Sequence, residues 1–346
     1  MTRLEEEARA RLDPARFAYV SLAAGDSLAS NLAAWRQLRL RPRMLRDVRT
    51  LSTATTLLGQ PCRSPILVAP TAMHRLARDE GELATARGAA KAGAVYVVSA
   101  QATTSIEDIA AEAPTGPRWM QAYLMRDRGV TRAMLERAAA VGCSAVVLTV
   151  DSPGFSHKRT ATGRRLNENF RLPNLLPDEE SPDVEDMVGD YAADLTFDEL
   201  AAIRAWTGLP LAVKGVLQGA DAVRCLDAGA DAIVVSNHGG RLVPDCVATA
   251  DALAEVVESV AGRGEVYVDG GIRSGADVLK ALALGARGVM VGRPIWWGLA
   301  VGGDEEVFSV LDWLREDLVR TMALCGVSQI DDVASDLVGP PRRPFS

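Results

Sequence analysis

The segment Ser236-Asn-His-Gly-Gly-Arg241 places a histidine and an arginine close together on a glycine-containing stretch. A neutral imidazole can accept a proton near neutral pH, and a guanidinium can bind a carboxylate through two parallel hydrogen bonds. Histidine is scarce in this chain, which contains only 3. We therefore expect His238 and Arg241 to take part in chemistry, and we expect His74 and His157 to be structural.

Two further segments combine glycine with arginine, namely Asp269-Gly-Gly-Ile-Arg273 and Gly292-Arg293. Glycine leaves backbone N–H groups accessible, and such groups bind phosphate together with a nearby guanidinium. These segments therefore predict a phosphorylated ligand or cofactor.

Lys214 ends a short apolar run and is followed by a glycine. Its ammonium group can stabilise negative charge on a reduced cofactor, or its amine can form a Schiff base with a carbonyl substrate, as in aldolases. These roles belong to different classes of enzyme, so Lys214 alone leaves both hypotheses open.

Short apolar runs with helical segments between them must position these residues. The runs are Ile66–Pro70, Val95–Ser99, Trp119–Tyr123, Ala145–Asp151, Leu211–Lys214, Ala232–Ser236, Glu265–Asp269 and Val289–Gly292. The segments predicted to be crossover helices include Glu82–Ala92, Thr131–Val141 and Ala276–Leu284. Continuous apolar strands that alternate with helices are typical of a parallel sheet covered on its faces. Eight such units predict an α/β fold, a single (β/α)₈ TIM barrel.

The predicted strands end in polar residues. In a barrel of this type the C-terminal ends of the strands meet at one mouth. A barrel needs no polar groups there for packing, so their succession predicts a functional site. The residues are Thr71, Ser99, Gln121, Tyr123, Thr149, Asp151, Lys214, Ser236, His238, Asp269, Arg273 and Arg293.

The regions outside the strands predict two additions to the barrel. Residues 1–48 precede the first predicted strand, and we expect an N-terminal helical cap there. Residues 160–195 follow the fourth predicted strand and contain several prolines and acidic residues. We expect them to form an inserted loop over the C-terminal face, with a solvated linker as the alternative. We expect a single domain over residues 1–346.

Composition argues against several other classes of protein. The net charge of −7 argues against an extended nucleic-acid surface. The 5 cysteines form no C-x-x-C pair, which argues against a zinc site or disulfide framework and predicts a cytoplasmic protein. The N-terminus lacks the apolar core of a secretory signal, and no apolar run is long enough to span a bilayer. We expect no metal, nucleic-acid or membrane partner.

Taken together, the motifs resemble those of the FMN-dependent α-hydroxy acid oxidising enzymes, which include glycolate oxidase, lactate oxidase and mandelate dehydrogenase. The motifs are Ala69-Pro-Thr-Ala-Met73, Gln121-Ala-Tyr123, Leu148-Thr-Val-Asp151, Val213-Lys-Gly215, Ser236-Asn-His-Gly-Gly-Arg241, Asp269-Gly-Gly-Ile-Arg273 and Gly292-Arg-Pro294. The resemblance extends from about Phe17 to Gly326. It implies FMN as the cofactor, oxidation of a small L-α-hydroxy acid to the α-keto acid, electron transfer to flavin N5 and then to O₂, and a homotetramer.

The resemblance also implies roles for individual residues. His238 would be the base, Asp151 would favour its protonated form, and Arg241 would bind the substrate carboxylate. Tyr19 and Tyr123 would hydrogen-bond the substrate. The residues implied to contact the flavin ring and ribityl chain are Pro70, Thr71, Ala72, Ser99, Gln121, Thr149, Ser236 and Lys214, the last stabilising the negative charge of the reduced ring. Those implied to hold the ribityl end and phosphate are Asp269, Gly271, Arg273, Gly292 and Arg293.

Some positions depart from the family pattern. Members often carry a second substrate-binding arginine after the fourth strand, and here we expect Arg159, or alternatively Lys158, to take this role. A position that is often aromatic in glycolate oxidase is Gln101, which we expect to contact the substrate. These changes favour a bulkier or more polar substrate, and they leave open a specialised biosynthetic substrate that is an amine or resembles an amino acid.

Two hypotheses from other classes remain. A Schiff-base barrel aldolase would use Lys214 and bind a phosphorylated substrate at Arg273 and Arg293, but it would not need the His238 motif. A barrel that binds FMN without catalysing a reaction would need neither His238 nor Arg241.

Overall fold

The computed structural model describes residues 1–153, 171–176 and 190–339. Within these ranges, eight parallel strands close into a barrel. They are β1 (Ile66–Val68), β2 (Tyr96–Val98), β3 (Arg118–Ala122), β4 (Val146–Thr149), β5 (Leu211–Val216), β6 (Ala232–Val235), β7 (Glu265–Val268) and β8 (Gly288–Val291). Strands adjacent in the chain pair with each other, and β8 pairs with β1 to close the ring. The predicted (β/α)₈ barrel is confirmed.

The strands are apolar throughout because both of their faces are buried. Val147 and Tyr267 belong to one buried cluster inside the barrel, whereas Val146 and Leu148 belong to the core between the barrel and its helices. Trp119 meets Tyr267 edge to face, with ring centroids 5.5 Å apart. A strand buried on both faces carries apolar side chains at consecutive positions, which is why continuous apolar runs located the strands in the sequence.

Helices lie between the strands and after the last one. They are α4 (Gly81–Ala92), α5 (Ile106–Glu112), α6 (Arg128–Ala140), α7 (Leu200–Thr207), α8 (Gly219–Asp227), α9 (Thr249–Val260), α10 (Gly275–Ala283) and α11 (Arg293–Leu324). The barrel is preceded by three further helices, α1 (Thr2–Arg11), α2 (Pro14–Ser21) and α3 (Ser27–Gln37). The segments predicted as crossover helices correspond to α4, α6 and α10, with ends that differ by a few residues, as is usual for helix boundaries.

Helix α3 lies against the loops that follow β6 and β7. The side-chain amides of Asn31 and Asn237 exchange two hydrogen bonds of 2.9 Å, and Trp35 Nε1 donates to the carbonyl oxygen of Gly270 at 2.8 Å. These contacts place the N-terminal helices beside the C-terminal ends of the barrel strands. Beyond α3, Arg39–Leu40 form a short strand. The helical part of the segment that precedes the barrel therefore ends at Gln37.

Residues 160–195, predicted as an insertion, lie mostly outside the described residues. In the described part, Leu172 and Tyr191 are buried, and Asn174 Nδ2 donates to the carbonyl oxygen of Thr104 at 3.1 Å. These residues pack against the rest of the protein, so the alternative of a solvated linker is wrong for them.

The described ranges contain no helix that is both long and apolar enough to cross a membrane. In the same ranges, no group of three or more His, Cys, Asp and Glu side chains is arranged to hold a metal ion. Cys62, Cys143, Cys225 and Cys325 are buried free thiols.

Gly275 begins α10 where this helix meets α11, and the site has no room for a side chain. A Cβ atom there would lie 2.0 Å from the backbone nitrogen of Leu318. Because a backbone atom cannot rotate away, we expect Gly275→Ala to destabilise the protein by about 3 kcal/mol, at the upper end of the usual cost of overpacking. Gly262→Ala is the matched control, because its Cβ would meet nothing within 4 Å and only its positive φ costs energy, about 1–2 kcal/mol. Equal losses of thermal stability in the two variants would contradict the steric argument.

Candidate active site

A cavity opens at the C-terminal ends of the barrel strands. It encloses about 900 Å³ of empty space, its open mouth included. The sequence-predicted residues that line it are Tyr19, Pro70, Thr71, Ala72, Ser99, Gln101, Tyr123, Lys214, His238, Arg241, Asp269, Gly271, Arg273, Gly292 and Arg293. The barrel therefore gathers into one wall residues that are far apart in the chain.

His238 is oriented by its backbone and by a carboxylate. Its φ is +58°, a left-handed conformation that turns the chain after β6, and its backbone N–H donates to Ser236 Oγ at 3.0 Å. The ring Nδ1 lies 2.9 Å from Asp151 Oδ1. A proton taken up at Nε2 would give an imidazolium whose charge Asp151 stabilises, as the carboxylate does in other histidine–aspartate pairs. The pair can therefore act as a base.

Asp151 can approach β5 because position 215 is a glycine. A Cβ on Gly215 would lie 2.6 Å from the Cβ of Asp151, and the φ of Gly215 is +108°. The pairing of β5 with β6 shifts register between Lys214 and Val216, and such irregularities change the direction of side chains near active sites. The glycine after Lys214 thus makes space for the carboxylate that contacts His238.

Arg241 lies against aromatic rings on the cavity wall. Its guanidinium carbon is 5.2 Å from the centre of the Tyr19 ring, and its Nη1 donates to the carbonyl oxygen of Val20 at 3.0 Å. Burial lowers the pKa of Arg241 although Tyr19 and Tyr123 oppose this, and burial raises the pKa of Tyr19 although Arg241 opposes that shift. In the described part of the chain no carboxylate forms a salt bridge with Arg241. A desolvated cation beside neutral hydroxyl donors is suited to binding a carboxylate.

Lys214 is buried and held by two groups. Its Nζ donates to Ser236 Oγ at 2.9 Å and lies 3.0 Å from Asp269 Oδ2. Burial by itself lowers the pKa of Lys214, but the attraction of Asp269 and Asp151 outweighs it, so the pKa is raised. The amine therefore stays protonated at neutral pH. Schiff-base formation needs a neutral amine, so this environment argues against the aldolase hypothesis.

Arg273 and Arg293 make another part of the wall cationic. Arg293 begins α11 directly after Gly292 and donates to three backbone carbonyl oxygens at 2.8–3.1 Å. Burial lowers the pKa of Arg273 to about 10, and burial together with repulsion from neighbouring arginines lowers the pKa of Arg293 to about 9. Among the residues that the structure describes, neither arginine forms a salt bridge with a carboxylate. A helix N-terminus with two desolvated guanidinium groups is suited to binding a phosphate.

The hydrogen bonds of Asp269 bear on whether the cavity fits FMN. Its Oδ2 contacts Lys214, whereas Oδ1 is buried and has no hydrogen-bond partner among the described residues. A buried carboxylate oxygen of this kind requires a donor, which a ribityl hydroxyl can supply. With the two arginines for the phosphate and Lys214 for negative charge on the ring, the residues present fit FMN.

Several predicted residues support the lining without forming part of it. Gln121 Nε2 donates to Thr149 Oγ1 at 3.1 Å, and Gln121 Oε1 accepts from the backbone N–H of Ala100 at 3.1 Å. Ser236 and Asp151 likewise act through Lys214 and His238, as described above. Ser236 and Asp151 therefore orient groups that face the cavity, whereas Gln121 and Thr149 bond to each other behind it.

The structure adds Tyr191, which the sequence did not single out. Its ring stacks on that of Tyr123, with centroids 4.4 Å apart and planes inclined by 16°. No local pattern predicts this contact, and the only signal was an aromatic residue in a segment read as an insertion. The predicted substrate contact Arg159, its alternative Lys158 and the neighbouring His157 lie outside the described residues.

Comparisons with known proteins agree with this site. The model of the FMN-dependent dehydrogenase family matches residues 8–340. The chain is 42% identical over 345 residues to the L-lactate oxidase of Nostoc sp., covering 95% of this chain and 94% of that protein. It is 43% identical over 317 residues to 2-hydroxyacid oxidase 2 of Rattus norvegicus, covering 91% of this chain and 90% of that protein.

The structural comparison gives the same result. A crystal structure of mandelate oxidase with (S)-4-hydroxymandelic acid matches with a TM-score of 0.90 at 37% identity, covering 98% of this chain and 97% of the other. Both comparisons extend over nearly the whole chain, so they concern the complete barrel with its site. The chain therefore belongs to the FMN-dependent dehydrogenase family, and it is an FMN-dependent oxidoreductase of the 2-hydroxy acid oxidase and dehydrogenase type.

Proposed function

We propose that this protein oxidises a small L-2-hydroxy acid to the 2-keto acid, with His238 as the base and Arg241 as the carboxylate anchor. The observation that carries the proposal is that His238, paired with Asp151 at 2.9 Å, lines the same cavity as Arg241, whose guanidinium has no carboxylate partner among the described residues. A base and a carboxylate site on one wall can hold the CH–OH group of a 2-hydroxy acid beside the base.

The residues then divide the chemistry between them. The two bonds broken are the O–H and C–H bonds of the CH–OH group, and the hydroxyl proton passes to Nε2 of His238. Asp151 stabilises the imidazolium, while Tyr19 and Tyr123 hydrogen-bond the substrate oxygens. FMN, when bound, would accept the hydrogen of the C–H bond together with the two electrons of that bond. A positioned base of this kind contributes roughly 10²–10⁴ in rate.

The same cavity accounts for cofactor binding. We place the phosphate at Arg273, Arg293 and the glycines beside them, and the ribityl chain at Asp269. Lys214 stabilises negative charge on the ring, since its ammonium is buried at the cavity wall. The remaining residues proposed to contact FMN are Pro70, Thr71, Ala72 and Ser99 in the wall. Gln121, Thr149 and Ser236, which the sequence also assigned to the flavin, lie behind the wall and are proposed to support it.

Oxygen is the acceptor that we propose for the reoxidation step, because the relatives described above are oxidases. A homotetramer and a cytoplasmic location stay predictions from the sequence. Sedimentation of the purified protein would measure the first, and localisation of a tagged chain would measure the second.

The visible spectrum of the purified protein tests the function. We expect flavin bands that bleach when an L-2-hydroxy acid is added without oxygen, from a panel of glycolate, lactate, mandelate, 4-hydroxymandelate and the matching amino acids. Return of the bands in air would identify an oxidase. Bleaching only by an amino acid would support the amine-type substrate instead, and flavin bands that no compound bleaches would contradict the proposal.

Gln101 is the residue that we propose to select the substrate side chain. It is only 4% exposed and lines the cavity, and its side-chain amide has no hydrogen-bond partner among the described residues. We therefore expect preference for a side chain with a polar group. Gln101→Met keeps the length of the side chain but removes the amide. The ratio of kcat/KM for 4-hydroxymandelate over mandelate, or for glycerate over lactate, should then fall by about fivefold to tenfold. This change corresponds to the loss of one hydrogen bond worth about 1 kcal/mol or slightly more. Unchanged ratios for both pairs would contradict this role.

A further inference from the structure

His74 connects the cavity wall with helix α4. It is completely buried; its Nε2 lies 2.6 Å from Oγ1 of Thr71, and its Nδ1 lies 2.9 Å from Oγ1 of Thr85. Thr71 lines the cavity, whereas Thr85 lies on α4 and is itself 0% exposed. The imidazole is therefore held between two hydroxyl groups, one of which belongs to a residue of the cavity wall.

The hydrogen bonds of Thr85 set the direction of the others. The hydroxyl of Thr85 donates to the carbonyl oxygen of Gly81, 3.5 Å away and one helical turn earlier, a common partner for a threonine inside a helix. In the arrangement that keeps this bond, Oγ1 of Thr85 accepts from His74 Nδ1–H. A neutral imidazole has one N–H and one lone pair, so Nε2 is the acceptor. It follows that the hydroxyl of Thr71 donates to His74.

The surroundings of His74 keep the imidazole neutral. Burial lowers its pKa, and this effect exceeds the opposing effects of the charge on Glu82 and of a hydrogen bond with the backbone of Thr71. Glu82 does not bond to the ring: it accepts from the backbone N–H of His74 at 3.0 Å, from the backbone and hydroxyl of Thr103 at 2.8 and 2.7 Å, and from the hydroxyl of Thr104 at 2.9 Å. The carboxylate is thus satisfied by other donors, and both ring nitrogens remain with the threonines.

We propose that His74 is a positioning residue which commits the Thr71 hydroxyl hydrogen away from the cavity, so that Thr71 presents only a hydrogen-bond acceptor to the flavin. Two-electron reduction of a flavin adds a proton to a ring nitrogen and converts it from an acceptor into an N–H donor. An acceptor in the wall therefore favours the reduced cofactor over the oxidised one, which is one way in which a protein tunes flavin electronics. This inference rests on the placement of FMN proposed above.

The midpoint potential of the bound flavin tests the proposal. Thr71→Val and His74→Phe should each lower the preference for reduced over oxidised FMN by roughly fivefold to tenfold, as expected for one buried hydrogen bond; tenfold corresponds to about 30 mV for a two-electron couple. The double variant should show no further shift, because both changes remove the same acceptor. Titration of each flavin-loaded variant in the presence of a reference redox dye measures its midpoint potential.

Thr85 provides variants that do not touch the cavity. Thr85→Val removes the acceptor for Nδ1–H and should lower the potential in the same direction, whereas Thr85→Ser keeps the hydroxyl and should keep the native potential. If His74→Phe does not fold, comparison of Thr85→Val with Thr85→Ser still tests the proposal. A merely structural role for Thr85 would change stability without changing the potential.

Two outcomes would overturn the proposal, and they are distinguishable. If Thr71→Val changes neither the potential nor the affinity for FMN, the flavin does not lie against Thr71 and the placement itself fails. If Thr71→Val shifts the potential but His74→Phe and Thr85→Val do not, the placement holds and the histidine has no part in it.

Discussion

Replacement of His238 by glutamine is expected to lower kcat for 2-hydroxy acid oxidation by about 10²–10⁴, the usual contribution of a general base. Glutamine retains a polar side chain but cannot take up a proton at neutral pH. The groups proposed to hold FMN lie on other residues, so the variant should keep the flavin spectrum. Anaerobic stopped-flow measurement of flavin bleaching gives the rate of reduction separately from that of reoxidation.

Asp151→Asn is the companion variant for this prediction. It keeps a hydrogen-bonding group next to Nδ1 of His238, 2.9 Å away in the native protein, but it removes the negative charge that stabilises the imidazolium. The rate of flavin reduction should fall, and the loss should be smaller than for His238→Gln because the base is still present. Native rates of reduction in His238→Gln would show that another group removes the proton.

Replacement of Arg241 by methionine is expected to lower kcat/KM for 2-hydroxy acids by about 10²-fold or more. Loss of one partner from a buried charged pair costs about 2–5 kcal/mol, and Arg241 is a buried cation without a carboxylate partner among the described residues. Methionine also preserves the packing against Tyr19, whose ring is 5.2 Å from the guanidinium. Initial rates over a range of substrate concentrations measure the effect.

Two controls separate carboxylate binding from a general disturbance. Arg241→Lys keeps the charge but loses the planar pair of donors, so it should recover part of kcat/KM. A simple carboxylate inhibitor should bind more weakly to Arg241→Met, whereas a neutral amide of the same shape should bind native and variant proteins alike. Equal weakening of both ligands would show that the cavity has changed shape and that Arg241 is not the anchor.

The amino-acid sequence by itself determined the barrel and the identity of most of the wall. The strands are short enough, and apolar enough on both faces, to be visible as continuous runs, and helices connect them in a regular order. Because the C-terminal ends of parallel barrel strands share one mouth, polar residues at those ends could be assigned to one site without coordinates. The segments that combine glycine with arginine, Asp269–Arg273 and Gly292-Arg293, could be recognised in the sequence because their residues lie close together in the chain.

Only the tertiary structure decided which groups contact each other. His238 and Asp151 are 87 residues apart and meet at 2.9 Å, and Arg241 donates to the carbonyl of Val20 across 221 residues. The stack of Tyr191 on Tyr123 is of the same kind. Hydrophobic periodicity and turn residues report local conformation, whereas these distances depend on closure of the barrel and on the packing of helices α2 and α4 against it. A histidine that looked merely structural in the sequence lies against Thr71 of the cavity wall and Thr85 of α4, and the folded chain shows these contacts.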